Sequence, residues 1–340
     1  MSDKNIFKDP KFARIPEEDW TQAPVDSFAL QYDSVKEHGW YKNLDPTIED
    51  LTHHLKNGET FLDYSGGTGI FVERLFKQFP TRQIGTVIVD SSPKFLRLAL
   101  EKFRQDKRVG FRLIRFLKEK KRLQYVDEVL DLRFHALVST NAIHLYYDLQ
   151  ETLQSWARIL YPGSKVFIQS GNIRGSDRKS EEWIIDETIE AVHLEALKIV
   201  KQEKQFSVYR NILKDEKKML EYQNLRQKYF LPTRPVEYYL EELKKAGFTN
   251  LTVSWKKIEV RVKEWFEFLS AYHEGVLGWV GGSEKVEAVP PDPSAIQDRL
   301  LIIQKALGKI FSEQPIFFCG WCYLTGTTEG QYPKRKAKTP

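Results

Sequence analysis

The chain has 340 residues, 41% of them hydrophobic and 29% charged, with a formal net charge of +5 and a pI near 8.9. That length exceeds the usual single domain and supplies a large core, so one enlarged domain or a core with a cap is expected. A modest positive charge spread along the whole sequence does not mark a nucleic-acid binder. Neither an 18-residue apolar run nor an apolar stretch behind the N-terminus occurs, so no membrane span is expected and the protein reads as soluble and cytoplasmic.

Residues 1–24 are polar and irregular, with Trp20 as an anchor. Phe28-Ala29-Leu30-Gln31-Tyr32-Asp33 is a short amphipathic segment, and a helix is expected from about Thr47 to Lys56 with Ile48, Leu51 and Leu55 on one face. Phe61-Leu62 starts an apolar strand that reaches an acid at Asp63, turns through Ser65-Gly66-Gly67-Thr68-Gly69 and runs into a helix carrying Ile70, Phe71, Val72 and Leu75. Strand, glycine turn and helix in that order form a nucleotide-type loop, because the backbone must turn tightly and a Cβ would block a ligand lying against it. A P-loop would need Lys and Ser or Thr after the last glycine, but Ile70 and Phe71 stand there. A dinucleotide loop would need a third glycine where Val72 stands, which weakens that reading.

Ile84 to Val89 reads as a buried strand ending in Asp90, 21 residues after Gly69, where such a fold places the carboxylate that holds ribose hydroxyls. Ser91 or Ser92 caps the next helix, opened by Pro93, with Phe95, Ala99 and Phe103 on one face. Val109 to Phe116 is expected as a third strand and Lys118 to Leu130 as a helix, with Lys118-Glu119-Lys120-Lys121-Arg122 on its solvated face. Phe134 to Ser139 is a fourth strand, followed by Thr140-Asn141-Ala142-Ile143-His144-Leu145. A helix from Leu149 to Tyr161, stopped by Pro162-Gly163, and a fifth strand from Lys165 to Ser170 complete an alternation that implies a parallel sheet covered on both faces.

From Gly171 the rhythm breaks, and residues 177–230 read as charged helix with an apolar stripe of Ile185, Ile189, Val192 and Ala196. Pro235 opens a helix (Val236, Leu240, Leu243) ending at Gly247, then Leu251, Val253 and Trp255 alternate as a sixth strand. Gly275 to Gly282 reads as a flexible aromatic loop, and Asp292-Pro293 starts a helix with Ile296, Leu300, Ile303, Leu307 and Ile310 on its apolar side. Ile316 to Leu324 is the last strand; Cys319 and Cys322, three apart in it, face opposite sides and read as core cysteines, with no metal site.

The motif Asp63-Tyr64-Ser65-Gly66-Gly67-Thr68-Gly69 resembles motif I of class I S-adenosylmethionine-dependent methyltransferases, with Ser65 in place of the first glycine. The F-A-x-x-Y-D segment ending at Asp33 and the S-T-N-A-I-H run ending at His144 resemble the small-molecule group, such as the malonyl-carrier-protein, trans-aconitate and ubiquinone-pathway enzymes. The resemblance covers most of residues 26–170 and, loosely, 235–325. It implies a Rossmann-like seven-stranded, mostly parallel sheet with helices on both faces, an antiparallel last strand at the sheet edge and a helical lid. It also implies S-adenosylmethionine as cofactor and S-adenosylhomocysteine as product. Tyr32, Asp63, Ser65, Gly66, Gly67, Thr68, Gly69, Asp90, Ser91 and Asn141 would then bind the cofactor, and His144 would face the acceptor as a general base. The family's usual acid after the third strand is missing, since Leu113-Ile114-Arg115-Phe116 stands there.

The expected organisation is residues 1–45 closing over the cofactor, 46–174 and 232–330 as the core, 175–231 as a lid, and 331–340 as a disordered basic tail. The reading is of an enzyme, monomer or homodimer, that methylates a carboxylate, amine or hydroxyl of a small molecule. A methyltransferase acting on RNA or protein, a cofactor-binding protein without turnover, and a nicotinamide enzyme are the alternatives. The absence of an N/D-P-P-Y/F sequence after the fourth strand argues against methylation of bases in DNA.

Overall fold

The computed structural model describes residues 13–175, 178–312 and 314–329; the basic tail lies outside them. An N-terminal stretch enters α1 (Ser27–Asp33), whose first amides are capped by the Asp26 carboxylate, and then α2 (Asp45–His54). From there strands and helices alternate: β1 (Thr60–Tyr64), α3 (Ile70–Gln78), β2 (Gly85–Asp90), α4 (Pro93–Phe103) and β3 (Val109–Leu113). A hairpin of β4 (Phe116–Leu117) and β5 (Arg122–Leu123) follows, then α5 (Val126–Val129), β6 (Phe134–Thr140), α6 (Leu149–Arg158) and β7 (Leu160–Ser170). After β8 (Ile173–Arg174) come α7 (Ile185–Gln202), α8 (Glu216–Tyr229), β9 (Arg234–Pro235), α9 (Val236–Lys245) and β10 (Phe248–Arg261). The described chain closes with α10 (Val262–Ala271), α11 (His273–Leu277), α12 (Glu284–Glu287), α13 (Pro293–Ile310) and β11 (Ile316–Thr328).

Seven strands form one sheet in the order β10-β11-β7-β6-β1-β2-β3. Only β11 runs against the rest, because it pairs antiparallel with both β7 and β10. Parallel strands are covered on both faces, so their residues are mostly apolar, and β1 and β2 are buried at every position, the acids Asp63 and Asp90 included. Successive residues feed opposite cores. Phe61, Ile88, Phe111 and Val138 meet α3 and α4 on one side; Leu62, Val89 and Leu137 meet α5, α6 and α9 on the other. Cys319 and Cys322 divide in the same way, both buried as free thiols on opposite faces. The strand order reverses between β1 and β6, which puts the crevice where ligands bind in such sheets beside the turn that follows β1.

Four expectations need correction. The helix expected over 118–130 is the β4–β5 hairpin plus the short α5. Lys121 adopts φ +50 in the turn, and Glu128, in the first turn of α5, accepts from Arg122 and from the Tyr125 amide that starts the helix there. α6 ends at Arg158, and Pro162-Gly163 lies inside β7 at a bulge, with Gly163 at φ +81 and the register against β6 shifting there. The last strand is interior, with β10 at the edge. Gly275 to Val280 is buried and partly helical rather than a flexible loop.

The cause of that last difference is Arg299. The apolar face of α13 is turned so that Ala295, Arg299, Ile302, Ile303, Ala306 and Leu307 are buried, and Arg299 is 0% exposed. Its guanidinium donates to the Val280 carbonyl (2.7 Å) and the Gly282 carbonyl (2.6 Å) and lies 2.9 Å from His273 Nδ1. α7 packs on α13 and α10, and Trp265 donates its indole N–H to the Thr188 hydroxyl at 3.0 Å. One helical layer is thus built from both sides of β10. Among the described residues no helix is long and apolar enough to cross a membrane.

Arg299→Met keeps the volume and strands those carbonyls, so it is expected to lower unfolding free energy by about 3–5 kcal/mol, the scale for breaking a buried charged network. Urea denaturation reads this directly; an unmoved midpoint would show that Arg299 does not hold the 278–282 turn.

Candidate cofactor and active site

The turn after β1 is set by backbone conformation. Ser65, Gly67 and Gly69 lie at φ +59, +57 and +78, the region that favours glycine. Gly66 has a different constraint: a Cβ there would collide with the Asp63 carboxylate and come within 2.9 Å of Ile88. At Gly69 a Cβ would sit 2.8 Å from the Phe103 ring. Ser65, the one residue here with a side chain at positive φ, is held by a hydrogen bond from the Tyr146 hydroxyl (2.9 Å), which also lies 3.0 Å from the Ser139 hydroxyl. The β1 loop and the end of β6 are thereby tied across the crevice.

Asp90 ties the loop to β2. The Gly67 N–H donates to Asp90 Oδ2 (2.9 Å) and the Ser92 N–H to Oδ1 (2.7 Å). The Ser91 amide adds a third bond, while the Ser91 side chain is exposed. Burial raises the Asp90 pKa and these amides oppose the rise.

Asp63 is 0% exposed and neither of its carboxylate oxygens has a hydrogen-bond partner among the described residues. Burial, reinforced by the neighbouring Asp90 charge, lifts its pKa to about 8. A buried acid without a partner is costly unless it stays protonated or meets a ligand, and this one lies against Gly66. Thr68 is also buried in the loop.

Tyr32, on α1, covers the turn. Its ring stacks on Phe95 with centroids 4.8 Å apart, and both rings lie 3.9 Å from where a Gly67 Cβ would be. Its phenol is hydrogen-bonded to Tyr41, and burial pushes both tyrosines up. Phe28 stacks on the same Phe95 and meets Tyr272 edge-on. Asn141 sits at φ +55 at the end of β6; its amide oxygen accepts from the Trp321 indole at 2.9 Å. His144 is buried, with Nδ1 2.9 Å from the Ser170 hydroxyl, and burial lowers its pKa to about 4. It is therefore neutral at pH 7 and a weak base.

The site residues anticipated from sequence fall around one end of the sheet, in two groups. Tyr32, Asp63, Ser65 to Gly69, Asp90 and Ser91 form one body, while Asn141 and His144 belong to the β6–β7 side and are committed to Trp321 and Ser170. Sequence reasoning missed Tyr146, Trp321, Tyr41 and Tyr272. An aromatic five residues past Asn141 carries no spacing signal, and Trp321 reaches the site only because β11 is interior.

Residues 62–166 match the family model described as a methyltransferase domain. Over those residues, fewer than half of the sequence, the chain is similar to a methyltransferase domain. No curated protein matches the sequence. Among solved structures, phosphoethanolamine N-methyltransferase 2 of Haemonchus contortus, in complex with phosphomonomethylethanolamine and S-adenosylhomocysteine, is 16% identical. The match covers 88% of this chain and 56% of that one, with a TM-score of 0.47. The same nematode enzyme with S-adenosyl-L-methionine is 15% identical, over 96% of this chain and 60% of that one, TM-score 0.47. A Thiobacillus denitrificans S-adenosylmethionine-dependent methyltransferase with S-adenosylhomocysteine is 15% identical, over 88% and 97%, TM-score 0.47. The chain spans between 56% and 60% of the nematode enzyme's length, and likenesses this distant carry no information about an acceptor.

A folded chain that keeps a proton on Asp63 loses stability as pH rises from the unfolded pKa near 4 toward about 8, because the unfolded state gives that proton up. Asp63→Asn is therefore expected to melt a few degrees above wild type at pH 8 and to match it near pH 4. Parallel melting curves across that range would show that Asp63 is ionised in the fold.

Proposed function

We propose that this protein transfers a methyl group from S-adenosylmethionine to a small-molecule acceptor by in-line displacement. The observation that carries the proposal is the pairing of the glycine turn with Asp90 at the strand-order reversal, above an unpartnered buried acid. When bound, the cofactor supplies a methyl on a sulfonium, an electrophile that needs only an aligned nucleophile and exclusion of water.

The chain's own residues fit that task. Asp90 uses part of its acceptor capacity on backbone amides, and a carboxylate has about four lone-pair sites, so it can still take a vicinal diol. Gly66, Gly67 and Gly69 let the main chain approach the ligand, with Ser65, Thr68 and Ser91 at the edges of that cradle. A positively charged ligand end beside Asp63 would draw off its proton and supply its missing partner. Tyr32 closes one side, and Asn141, fixed by Trp321, borders the other.

His144, neutral and held by Ser170, fits a wall of the crevice better than a general base, and methyl transfer to a carboxylate, or to an amine that arrives unprotonated, needs none. The segment through residue 45 and the helices of 175–231 are the proposed cover. Favouring a small acceptor, Phe28 and Tyr32 lie over the turn, and the nearby cations Lys36 and Lys102 are tied to Asp33 and Glu73. No cationic track for a nucleic acid starts from those two lysines.

Calorimetric titration tests the cofactor. S-adenosylhomocysteine is expected to bind and NAD not, and Asp90→Asn to weaken binding by about 1–3 kcal/mol, the scale of hydrogen bonds to a charged group. Preference for NAD, or unchanged affinity in Asp90→Asn, would remove the assignment. A labelled-methyl screen over metabolite amines, acids and alcohols then identifies the acceptor.

A further inference from the structure

The least explained surface is the β4–β5 hairpin. In a two-stranded antiparallel ribbon, residues opposite each other share a face. Phe116 pairs with Leu123 and Leu117 with Arg122. The Leu117–Arg122 face turns toward the body of the protein: both residues are half-buried, and the Arg122 guanidinium lies 4.0 Å over the Tyr125 ring and holds Glu128. The Phe116–Leu123 face therefore looks outward, with the two side chains 59% and 43% exposed. Tyr125, two residues after the hairpin, donates its hydroxyl to Asp148, the neighbour of Tyr147 in sequence. Tyr147 is 71% and Leu145 41% exposed. Short ribbons are marginally stable, and an outward apolar pair on one is a feature that needs a partner.

The tip of the same hairpin is cationic. Lys118, Lys120 and Lys121 are exposed in the turn, with Arg115 at its base. The facing acids are Glu119 in the turn, Glu18, which holds Arg115, Glu128, which holds Arg122 and lies 4.0 Å from Lys120, and, on the Tyr125 side, Asp148, whose charge also acts on Arg122, and Glu151, so the excess is confined to the three lysines of the turn. The tip thus keeps an excess of positive charge beside its apolar face.

We propose that the β4–β5 hairpin, with Leu145 and Tyr147, docks on an anionic lipid bilayer. Phe116 and Leu123 enter the headgroup region, Tyr147 sits at that depth, and the lysines meet the lipid anions. Two signals of this kind, apolar insertion and basic attraction, are what reversible membrane binding requires. Single-stranded nucleic acid is the poorer match: it stacks its bases on aromatic platforms, and half of this surface is leucine. The hairpin leaves the carboxyl end of β3, where the Ile114 N–H donates to the Asp90 carbonyl at 2.9 Å, so the docking surface is at the same end of the sheet as the glycine turn. The proposal stands without the methyl-transfer reading.

Cosedimentation of the full chain with phosphatidylcholine vesicles, with and without about 30 mol% phosphatidylserine, tests it. Binding is expected to the anionic vesicles only. Phe116→Ser with Leu123→Ser, and separately Lys120→Glu with Lys121→Glu, should each lower it about tenfold or more without moving the melting temperature. The control pair Lys256→Glu with Lys263→Glu, exposed on and just after β10, should leave it nearly unchanged. Failure to bind anionic vesicles, or an equal loss in the control pair, would overturn the proposal. So would capture of a single-stranded RNA homopolymer, lost in the hairpin variants, without vesicle binding.

Discussion

The structure depends on one hydrogen bond, from the Gly67 N–H to Asp90, 2.9 Å long and part-buried. It joins the turn after β1 to the end of β2, and the rest of the site follows from it. Gly67 has to be at φ +57 for its amide to face the strand, Gly66 has to lack a Cβ to clear Asp63 and Ile88, and Gly69 has to make room for Phe103. The two strand ends are held in register by their own ladder, so the loop is fixed without needing packing from the helical layer.

Asp63 gives the same loop a cost. An acid with no hydrogen-bond partner among the described residues sits under Gly66 and is kept protonated by burial and by the Asp90 charge, which opposes stability near neutral pH because the unfolded chain gives that proton up. Nothing about the packing of β1 requires an acid there; its neighbours Phe61 and Leu62 are apolar and wholly buried. Strain of this kind, kept inside a preorganised loop, is what a ligand that meets the acid would relieve.

The sheet and the glycine turn were legible because their signals are local. Buried parallel strands are continuous apolar runs, and a turn at positive φ shows itself as glycine. Long-range effects were not legible. The order of β10 and β11 is decided by which edge pairs, and no residue in 248–328 announces it. Arg299 breaks the rule that a stripe of Ile and Leu marks the buried face, because three hydrogen bonds to two backbone carbonyls of a distant turn, Val280 and Gly282, offset its desolvation. The 116–123 segment was misread because a run of lysines looks like a solvated helix face, whereas the Phe116–Leu123 pairing needs a partner strand that charge patterning does not reveal. Within the site, Asp63, Asp90 and the glycines came from spacing, but Tyr146 and Trp321 arrive from elsewhere in the fold.

The account is tested most directly by diffraction from crystals soaked in S-adenosylhomocysteine. It predicts density lying across Gly66 to Gly69, with the ribose hydroxyls on the Asp90 carboxylate and the amino-acid end on the Asp63 side. Density bound elsewhere, or a turn still closed against Asp90 with no ligand at saturating concentration, would contradict it.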